Sequence, residues 1–231
     1  SKQCAILSYS ILKVRNLGLD FRIGVDESGK GDVFGPLVVA AVAINDDTES
    51  FLARNGVRDS KELSETQILE LASLIHKNCL CEVQVLVPKD YNPAYEERGS
   101  NLNRLLAWGH AHSIKQLSAR VTATHAICDQ FGDEQLLIDA LREENCDVRL
   151  EQRPKAESDI AVAAASIVAR AEFVASMKSS SEELGITIPF GSSAPEVKEV
   201  GRLLYRRLGK DGLAQIAKMH FKPVREIISE G

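Results

Sequence analysis

A continuous apolar stretch near the start of the chain limits the fold more than any other feature of the sequence. Eight apolar residues, LVVAAVAI, occupy positions 37–44, and half of them are β-branched. A run of this length and composition is typical of a strand that is buried on both faces of a sheet. A shorter strand is predicted over 22–27, and the short turn between the two strands favours antiparallel pairing.

The rest of the chain alternates between helical and extended patterns. A capping box, formed by Ser64 and Gln67, predicts a helix from Glu65 to about Lys77. Because strands separated by helices usually pair in parallel, we expect an α/β fold with a mixed five-stranded sheet, helices on both of its faces and a helical C-terminal region. The other predicted segments are helices over 101–120, 133–144, 158–177, 193–207 and 211–219, strands over 80–87, 125–130 and 147–151, and a turn over 45–47.

The composition is that of an ordinary globular protein. The 231 residues are 44% hydrophobic and 26% charged, without an apolar run of 18 residues or a good signal peptide, so we expect no membrane partner. The five cysteines form no C-x-x-C pair, which favours reduced thiols and a cytoplasmic location. Cys79 and Cys81 lie in an apolar strand, where core packing is favoured over metal binding.

Charge is distributed unevenly along the chain. The formal net charge of −5 argues mildly against nucleic acid as a partner. Residues 198–225, however, contain eight Lys or Arg against two acids, and a locally basic surface can follow a phosphate backbone. From charge alone, a solvated helix face remains the favoured interpretation of this segment.

Two adjacent acids, Asp26 and Glu27, end the first strand and precede a glycine-rich turn. Neighbouring carboxylates repel each other, and a hard divalent cation with oxygen ligands would stabilise them. The glycines that follow would let backbone groups approach a ligand closely. A dinucleotide-binding loop is excluded because Phe34 stands where a third glycine is required and Pro36 prevents a helix from starting there. An ordinary turn remains the alternative.

Two further acids occur where they could converge with the first pair. Asp129 ends an apolar strand, and Glu157 precedes an alanine-rich helix. The alternative role for Asp129 is a helix N-cap; that for Glu157 is interaction with a helix dipole, for which Asp159 competes. Four convergent carboxylates that bind two Mg²⁺ or Mn²⁺ ions would form a site for in-line phosphodiester cleavage.

Several strings of the sequence, taken in order, carry a family resemblance. The strings GVDESGKGDVFGPLVVAAV, RDSKELS, NLNRLLAWGHAHSI, CDQF, KAESDIAVAAASIVAR and AKMHF span about residues 22–222. Together they resemble the type 2 ribonucleases H, and the G-K-G turn and the glutamate in KAES are similar to the ribonuclease HIII branch. The resemblance implies a ribonuclease H-like fold and a four-carboxylate site made by Asp26, Glu27, Asp129 and Glu157.

The resemblance also implies an activity and a set of substrate contacts. The expected enzyme is a monomeric endoribonuclease that hydrolyses the RNA strand of an RNA/DNA hybrid, leaving 5′-phosphate and 3′-hydroxyl ends. Backbone groups of Gly29, Lys30 and Gly31 would read the ribose 2′-hydroxyl, and Ser60 and Lys61 would contact the DNA strand. Ser166, in AAASIVA, also matches a family position among these contacts and would support the site, although packing by a small residue is the alternative.

Two alternative functions are compatible with the same sequence features. One rival is ribonuclease HII-like incision at a single ribonucleotide in duplex DNA, for which Tyr205 is a candidate reader; the other is a non-catalytic hybrid-binding protein.

Ribonuclease HIII usually carries an N-terminal TATA-binding-protein-like domain, and we expect it to be absent here. Residues 1–21 are then an N-terminal arm and residues 22–231 the catalytic domain, including its basic helical C-terminal region.

The long helix predicted over 101–120 contains residues that could suggest other roles. Trp108, in the same string as Asn101 and Asn103, is expected to pack in the core rather than to stack on a base. His110 and His112 could be metal ligands, but a spacing of two residues places them on different faces of a helix. A zinc site is therefore not expected there.

Overall fold

A computed structural model describes residues 20–230. The predicted N-terminal arm lies outside these residues, except for Asp20 and for Phe21, the first residue of the first strand. The five strands are β1 (Phe21–Ser28), β2 (Leu37–Ile44), β3 (Leu80–Leu86), β4 (Ala123–Asp129) and β5 (Arg149–Arg153). The helices are α1 (Asp46–Arg54), α2 (Glu65–Asn78), α3 (Pro88–Glu97), α4 (Leu102–Ser118), α5 (Glu134–Glu143), α6 (Ile160–Leu184), α7 (Pro195–Ala214) and α8 (Lys222–Glu230), with 3₁₀ turns at Ser60–Glu62 and Ala156–Ser158.

The strands form one mixed sheet in the order β3-β2-β1-β4-β5. β2 pairs antiparallel with β1 across a short turn, and antiparallel with β3 after a longer connection that contains α1 and α2. β4 pairs parallel with β1 and β5, after helical crossovers. The predicted five-stranded mixed sheet is confirmed, with antiparallel pairing early in the chain and parallel pairing later.

β2 lies between two apolar layers of the core, as its composition predicts. All eight of its residues are buried. Val38 and Val42 face a cluster that includes α2 and α6, whereas Val39 and Ala41 face a second cluster that includes α4 and α5. Alternation of side chains along a strand therefore supplies both layers from one apolar run.

The helix α6 packs directly against the middle of the sheet. It is long and apolar enough to cross a membrane by length and composition alone, but 67% of its most apolar window is buried inside the protein. It contacts β1 where Gly24 faces the backbone of Ala161 and Val162, and a Cβ atom at position 24 would overlap that backbone. This close approach explains why the start of the helix is so rich in alanine.

The expected end of this helix near Met177 is wrong. The helix continues through a serine-rich segment to Leu184 and ends at Gly185, whose φ of 67° terminates it. The Ser181 hydroxyl donates to the Met177 carbonyl, 2.8 Å away, and the Ile188 amide donates to the Ser181 hydroxyl. Local hydrogen bonds at Ser181, and the Arg207 guanidinium that donates to the Leu184 carbonyl at 3.0 Å, thus accompany the extension of the helix to its glycine cap.

Two helices occur where the sequence analysis predicts a turn or nothing. The predicted turn over 45–47 is the start of α1, where Asn45 is the N-cap and forms a capping box with Thr48. The helix α3 starts with Pro88 at its first position, where a missing N–H group costs no hydrogen bond. Both helices begin with residues that are also common in turns, which is why the pattern alone was ambiguous.

The C-terminal helices also differ from the prediction. The segments expected over 193–207 and 211–219 join in α7, which is interrupted at Gly209 (φ 68°, ψ −173°) and ends at Ala214. The helix α8 was not predicted. Its glutamates pair with cations of the basic segment, which favours the interpretation of that segment as a helix face. The ion pairs are Lys198–Glu226 at 2.6 Å, Arg202–Glu230 at 2.9 Å and Lys222–Glu226 at 3.7 Å.

The contact at Gly24 generates a stability prediction. Gly24→Ala should lower the free energy of unfolding by at least about 3 kcal/mol, because backbone atoms of α6 cannot move aside cheaply. Denaturant titration followed by circular dichroism measures the loss. Gly31→Ala is the matched control, since a Cβ at Gly31 meets no atom within 4 Å. Equal stability of the two variants would contradict the close β1–α6 packing.

Candidate active site

The four predicted acids line a single cleft of about 680 Å³. Asp26 and Glu27 stand near the end of β1, and Asp129 is the last residue of β4. Because β1, β4 and β5 are parallel, their carboxyl ends meet at one edge of the sheet. Glu157 reaches the same edge from the 3₁₀ turn that follows β5. Strand direction thus brings together acids that are up to 131 residues apart.

Asp26 lies in a buried environment beside a second carboxylate. Burial raises the pKa of Asp26, and the neighbouring charge of Glu27 raises it further, whereas a hydrogen bond from Ser166 acts in the opposite direction. The Ser166 hydroxyl lies 2.7 Å from the Ser60 hydroxyl. Either hydroxyl can donate in this contact. Because a hydroxyl has one hydrogen, a Ser166 hydroxyl that donates to Asp26 would accept from Ser60. Ser166 therefore does more than pack as a small residue.

Glu27 is held ionised by two partners. Its side chain is 4% exposed, with His110 Nε2 2.8 Å from one carboxylate oxygen and Lys30 Nζ 2.6 Å from the other. Burial acts to raise the pKa of Glu27, but the hydrogen bond and charge of His110, together with the charge of Lys30, lower it. The pKa values of Asp26 and Glu27 are consequently moved in opposite directions, a separation typical of functional carboxylate pairs.

The alternative roles considered for Asp129 and Glu157 belong to other residues. Asp133 caps α5, whereas Asp129 accepts a hydrogen bond of 3.3 Å from the amide of Ala156. Asp159 caps α6 by accepting from the Ala161 amide at 2.8 Å. Asp129 and Glu157 are therefore available to the cleft.

A network of charges holds the turn that carries Glu157. Asp159 lies within 3.3 Å of the guanidinium groups of Arg22 and Arg153, which belong to β1 and β5. Arg22 also pairs with Glu49 of α1 at 2.7 Å. The 3₁₀ turn before α6 is thus attached to three neighbouring elements, and Glu157 is held at the cleft by residues outside it.

The glycine-rich turn after β1 forms one wall of the cleft. Gly29 has a φ of 87°, and a Cβ there would overlap the Pro36 carbonyl, so only glycine fits. At Gly31, by contrast, the space a Cβ would occupy is open. The backbone on this side of the turn can be approached closely from the cleft.

The remaining predicted contact residues lie on the opposite wall. Ser60 and Lys61 belong to the 3₁₀ turn Ser60–Glu62, which Asp59 caps. Lys61 is 80% exposed and its Nζ lies 3.8 Å from Glu157. These two residues and Lys30 are among the polar groups that line the cleft.

His110 and Lys218 lie beside the cleft residues but were not predicted as site residues from the sequence. His110 is buried, with its ring edge-on to Phe131, and within residues 20–230 its Nδ1 atom has no hydrogen-bond partner. A polar side chain on the buried face of a helix was the available signal. For Lys218, which is buried beneath the glycine-rich turn, the charge count gave no signal of its position.

The two histidines of the long helix lie on different faces, as their spacing predicts. His112 contacts Glu144 at 3.3 Å, on a different face from His110, so the two histidines share no site. Trp108 packs against the apolar cluster around α4, and the Arg98 guanidinium lies 4.0 Å from the centre of its ring.

The donor set suits a hard divalent cation. Four carboxylates at one cleft supply only oxygen ligands, the kind that Mg²⁺ and Mn²⁺ prefer. As placed, no three His, Cys, Asp or Glu side chains of the described residues are clustered closely enough to hold an ion. The four carboxylates thus share the ligand chemistry and the cleft that a cation needs, although their oxygens are not grouped around one point.

Comparisons with known proteins agree on one group of enzymes. The family model described as Ribonuclease HII matches residues 23–224. Ribonuclease HIII of Chlamydia caviae is 46% identical over 209 residues, which cover 89% of this chain and 69% of the relative. Ribonuclease HIII of Protochlamydia amoebophila is 45% identical over 208 residues, with 90% and 68% covered.

Solved structures give the same result for the fold. Bst-RNase HIII in complex with Mn²⁺ has a TM-score of 0.83 and 32% identity, and the match covers 93% of this chain and 71% of that one. The RNase HII of the PCNA:RNase HII complex from Archaeoglobus fulgidus has a TM-score of 0.74 and 32% identity, covering 89% and 96%. The ribonuclease H-like fold expected from the sequence is therefore confirmed.

The contact between His110 and Glu27 generates a second prediction. His110→Phe should raise the pKa of Glu27 and, at pH 7, lower the free energy of unfolding by roughly 1–3 kcal/mol, because a buried carboxylate loses its donor. A carboxyl group whose pKa is lower in the folded than in the unfolded state stabilises the fold at pH values above its unfolded pKa. The difference in unfolding free energy between the variant and the wild type should therefore shrink as the pH falls below about 4.

Denaturant titrations at several pH values, with ¹³C NMR of the glutamate carboxyls, measure both effects. His112→Phe is the matched control, because its partner Glu144 lies outside the cleft. An unchanged Glu27 pKa in His110→Phe would show that His110 does not hold this carboxylate ionised.

Proposed function

This chain belongs to the ribonuclease HII family, with ribonucleases HIII among its close relatives, and we propose that it is an endonuclease that hydrolyses the RNA strand of RNA/DNA hybrids. The products are 5′-phosphate and 3′-hydroxyl ends. The observation that carries the proposal is the convergence of Asp26, Glu27, Asp129 and Glu157 on one cleft beside a glycine-rich turn. Such a cleft combines oxygen ligands for cations with backbone that a nucleic acid can approach.

Divalent ions are the proposed cofactors. Asp26, Glu27, Asp129 and Glu157 would hold two Mg²⁺ or Mn²⁺ ions, and the related Bst-RNase HIII was solved with Mn²⁺. The chemistry supplied by such a pair, when bound, is activation of the attacking water and stabilisation of the leaving oxygen.

The protein's own residues fix the orientation of these carboxylates. Ser60 and Ser166 hold Asp26 through a chain of hydroxyl hydrogen bonds. His110 holds one oxygen of Glu27 from the buried side, at 2.8 Å, and leaves the other oxygen facing Lys30. Surrounding residues orient metal ligands in this way, although binding of an ion would still have to bring the carboxylate oxygens closer together.

The substrate contacts follow from the two walls of the cleft. Backbone groups of Gly29, Lys30 and Gly31 would meet the ribose 2′-hydroxyl, the group that distinguishes RNA from DNA. The half-exposed ammonium group of Lys30 would lie near the scissile phosphate. On the opposite wall, Ser60 and the exposed Lys61 would contact the backbone of the DNA strand.

The two rival functions receive less support. Tyr205, the candidate reader of a single ribonucleotide, packs against the apolar cluster around α6 and is not among the described residues that line the cleft. A protein that only binds hybrids has no physical reason to place four carboxylates beside phosphates, because like charges repel.

We assign the catalytic domain to residues 22–231, including the helical C-terminal region, and propose that it acts as a monomer in the cytoplasm. The cysteines Cys79, Cys81, Cys128 and Cys146 are free thiols. Burial raises the pKa of Cys79 to about 11 and that of Cys81 to about 12, so both remain protonated and poorly reactive at neutral pH. This agrees with core packing for the C-x-C pair.

Removal of one carboxylate tests the metal site. Asp129→Asn should lower the rate of hybrid cleavage by ~1000-fold, because it weakens an interaction that supplies several kcal/mol of transition-state stabilisation. Cleavage of a labelled hybrid in Mg²⁺ and in Mn²⁺, with circular dichroism as a fold check, measures the effect. Asp147→Asn is the matched control: it makes the same change in charge at an exposed position outside the cleft. Wild-type turnover by Asp129→Asn would exclude Asp129 as a metal ligand.

A comparison of substrates tests the specificity. The wild-type protein should cut a full RNA/DNA hybrid, or a run of ribonucleotides, and leave DNA with one embedded ribonucleotide largely intact. Gel analysis of both labelled duplexes measures the ratio of the two rates. Efficient incision at the single ribonucleotide would assign ribonuclease HII-like specificity instead, and binding of the hybrid without cleavage would favour the non-catalytic alternative.

A further inference from the structure

We propose that Lys218 is a positioning residue for the glycine-rich turn: its buried ammonium group fixes the backbone of Gly29–Asp32 in the shape that meets the substrate ribose. The inference rests on the proposed function, because it gives a structural origin to the reading of the 2′-hydroxyl. Lys218 belongs to the segment between α7 and α8 and lies 189 positions from Gly29 in the chain.

The contacts of Lys218 enclose the turn from below. The residue is fully buried, and its Nζ donates to the Gly29 carbonyl and to the Asp32 carbonyl, each at 2.9 Å. The Asp32 amide donates to the same Gly29 carbonyl at 3.2 Å. One ammonium group therefore joins the first and last residues of the turn, and Lys30 and Gly31 project between them on the exposed side.

A second contact holds the turn from the side. The Asp32 carboxylate accepts a hydrogen bond of 2.6 Å from the amide of Gly191, and the Val33 amide donates to the Gly191 carbonyl at 3.0 Å. These bonds act on the last residue of the turn, whereas Lys218 acts on both ends. Lys218 is thus the only side chain among the described contacts that donates to the Gly29 carbonyl.

The segment that carries Lys218 is itself anchored. Its backbone amide donates to the Val33 carbonyl at 2.8 Å. The Asn92 side chain of α3 donates to the carbonyls of Ala214 and Ala217 and accepts from the Met219 amide, all within 3.0 Å. The segment that carries the ammonium group is therefore held by bonds to Val33 and to α3, in addition to the contacts that Nζ makes with the turn.

A buried lysine is costly unless its charge is used. Burial lowers the pKa of Lys218 to about 7, and the fully buried amine has as its described hydrogen-bond partners the carbonyl oxygens of Gly29 and Asp32. The ring of Tyr91 lies beneath it, 5.4 Å from Nζ. An apolar side chain would fill the same space without this cost, but it would remove the side-chain donor from both carbonyls and leave the Gly29 carbonyl only the 3.2 Å bond from the Asp32 amide among its described contacts.

The variant Lys218→Met tests the proposal, since it keeps the length of the side chain and removes the donor. We expect kcat for hybrid cleavage to fall ~10- to 100-fold with a smaller change in KM, because small displacements of positioning groups have effects of this size on rate. Amide hydrogen exchange of residues 29–32 should become faster, and exchange in β1 and α6 should stay the same.

Tyr91→Phe is the matched control. It keeps the ring beneath Lys218 and removes only the 2.8 Å hydrogen bond between the Tyr91 hydroxyl and His220 Nε2, which anchors the same C-terminal segment without touching the turn. Tyr91→Phe should cut hybrids at the wild-type rate. An equal loss in both variants would overturn the proposal, because general loosening of the segment would then explain it.

The remaining outcomes also decide the question. A folded Lys218→Met protein with wild-type kcat and wild-type exchange at 29–32 overturns the proposal. Should Lys218→Met not fold, Lys218→Gln, which keeps a donor on a shorter side chain, replaces it; failure of both to fold would make Lys218 a purely structural residue and overturn the proposal too. If the wild-type protein cuts no hybrid, the proposed function fails, while hydrogen exchange still tests the effect of Lys218 on the turn.

Discussion

The contact between Gly24 of β1 and the first turn of α6 is the constraint on which the rest of the structure depends. Because position 24 has no side chain, the helix lies directly on the central strands. The same strand ends in Asp26 and Glu27, and the same helix carries Ser166 and follows Glu157. The separation of strand and helix therefore sets the separation of groups on the two walls of the cleft, and stability and site geometry have one origin.

Around this contact, the two neighbouring carboxyl groups of the site have different surroundings. Asp26 and Glu27 are neighbours in sequence, but burial raises the pKa of Asp26 while His110 and Lys30 lower that of Glu27. The carboxylates are held by residues that would not meet a substrate, such as Ser166 and His110. Lys218 extends the same principle to backbone, since it would position carbonyl groups of the turn.

Much of the fold could be predicted because its signals are local. The apolar run 37–44 became a buried strand with the predicted bounds, and the capping box at Ser64 started α2 where expected. The errors occurred where local signals are ambiguous. Asn45 is a residue typical of turns and also of helix N-caps. The serine-rich segment after Met177 continues the helix as far as the glycine cap at Gly185, which the local composition did not indicate.

By itself, the sequence determined the strand order along the chain, the family and the identity of the acidic residues, since these depend on residue types and on their local spacing. Only the tertiary structure decided which groups surround those acids. His110 reaches Glu27 across 83 positions, and Lys218 reaches Gly29 across 189. Contacts of this kind form only when the whole chain packs, because residues far apart in sequence then become neighbours in space. Local sequence patterns therefore do not predict them.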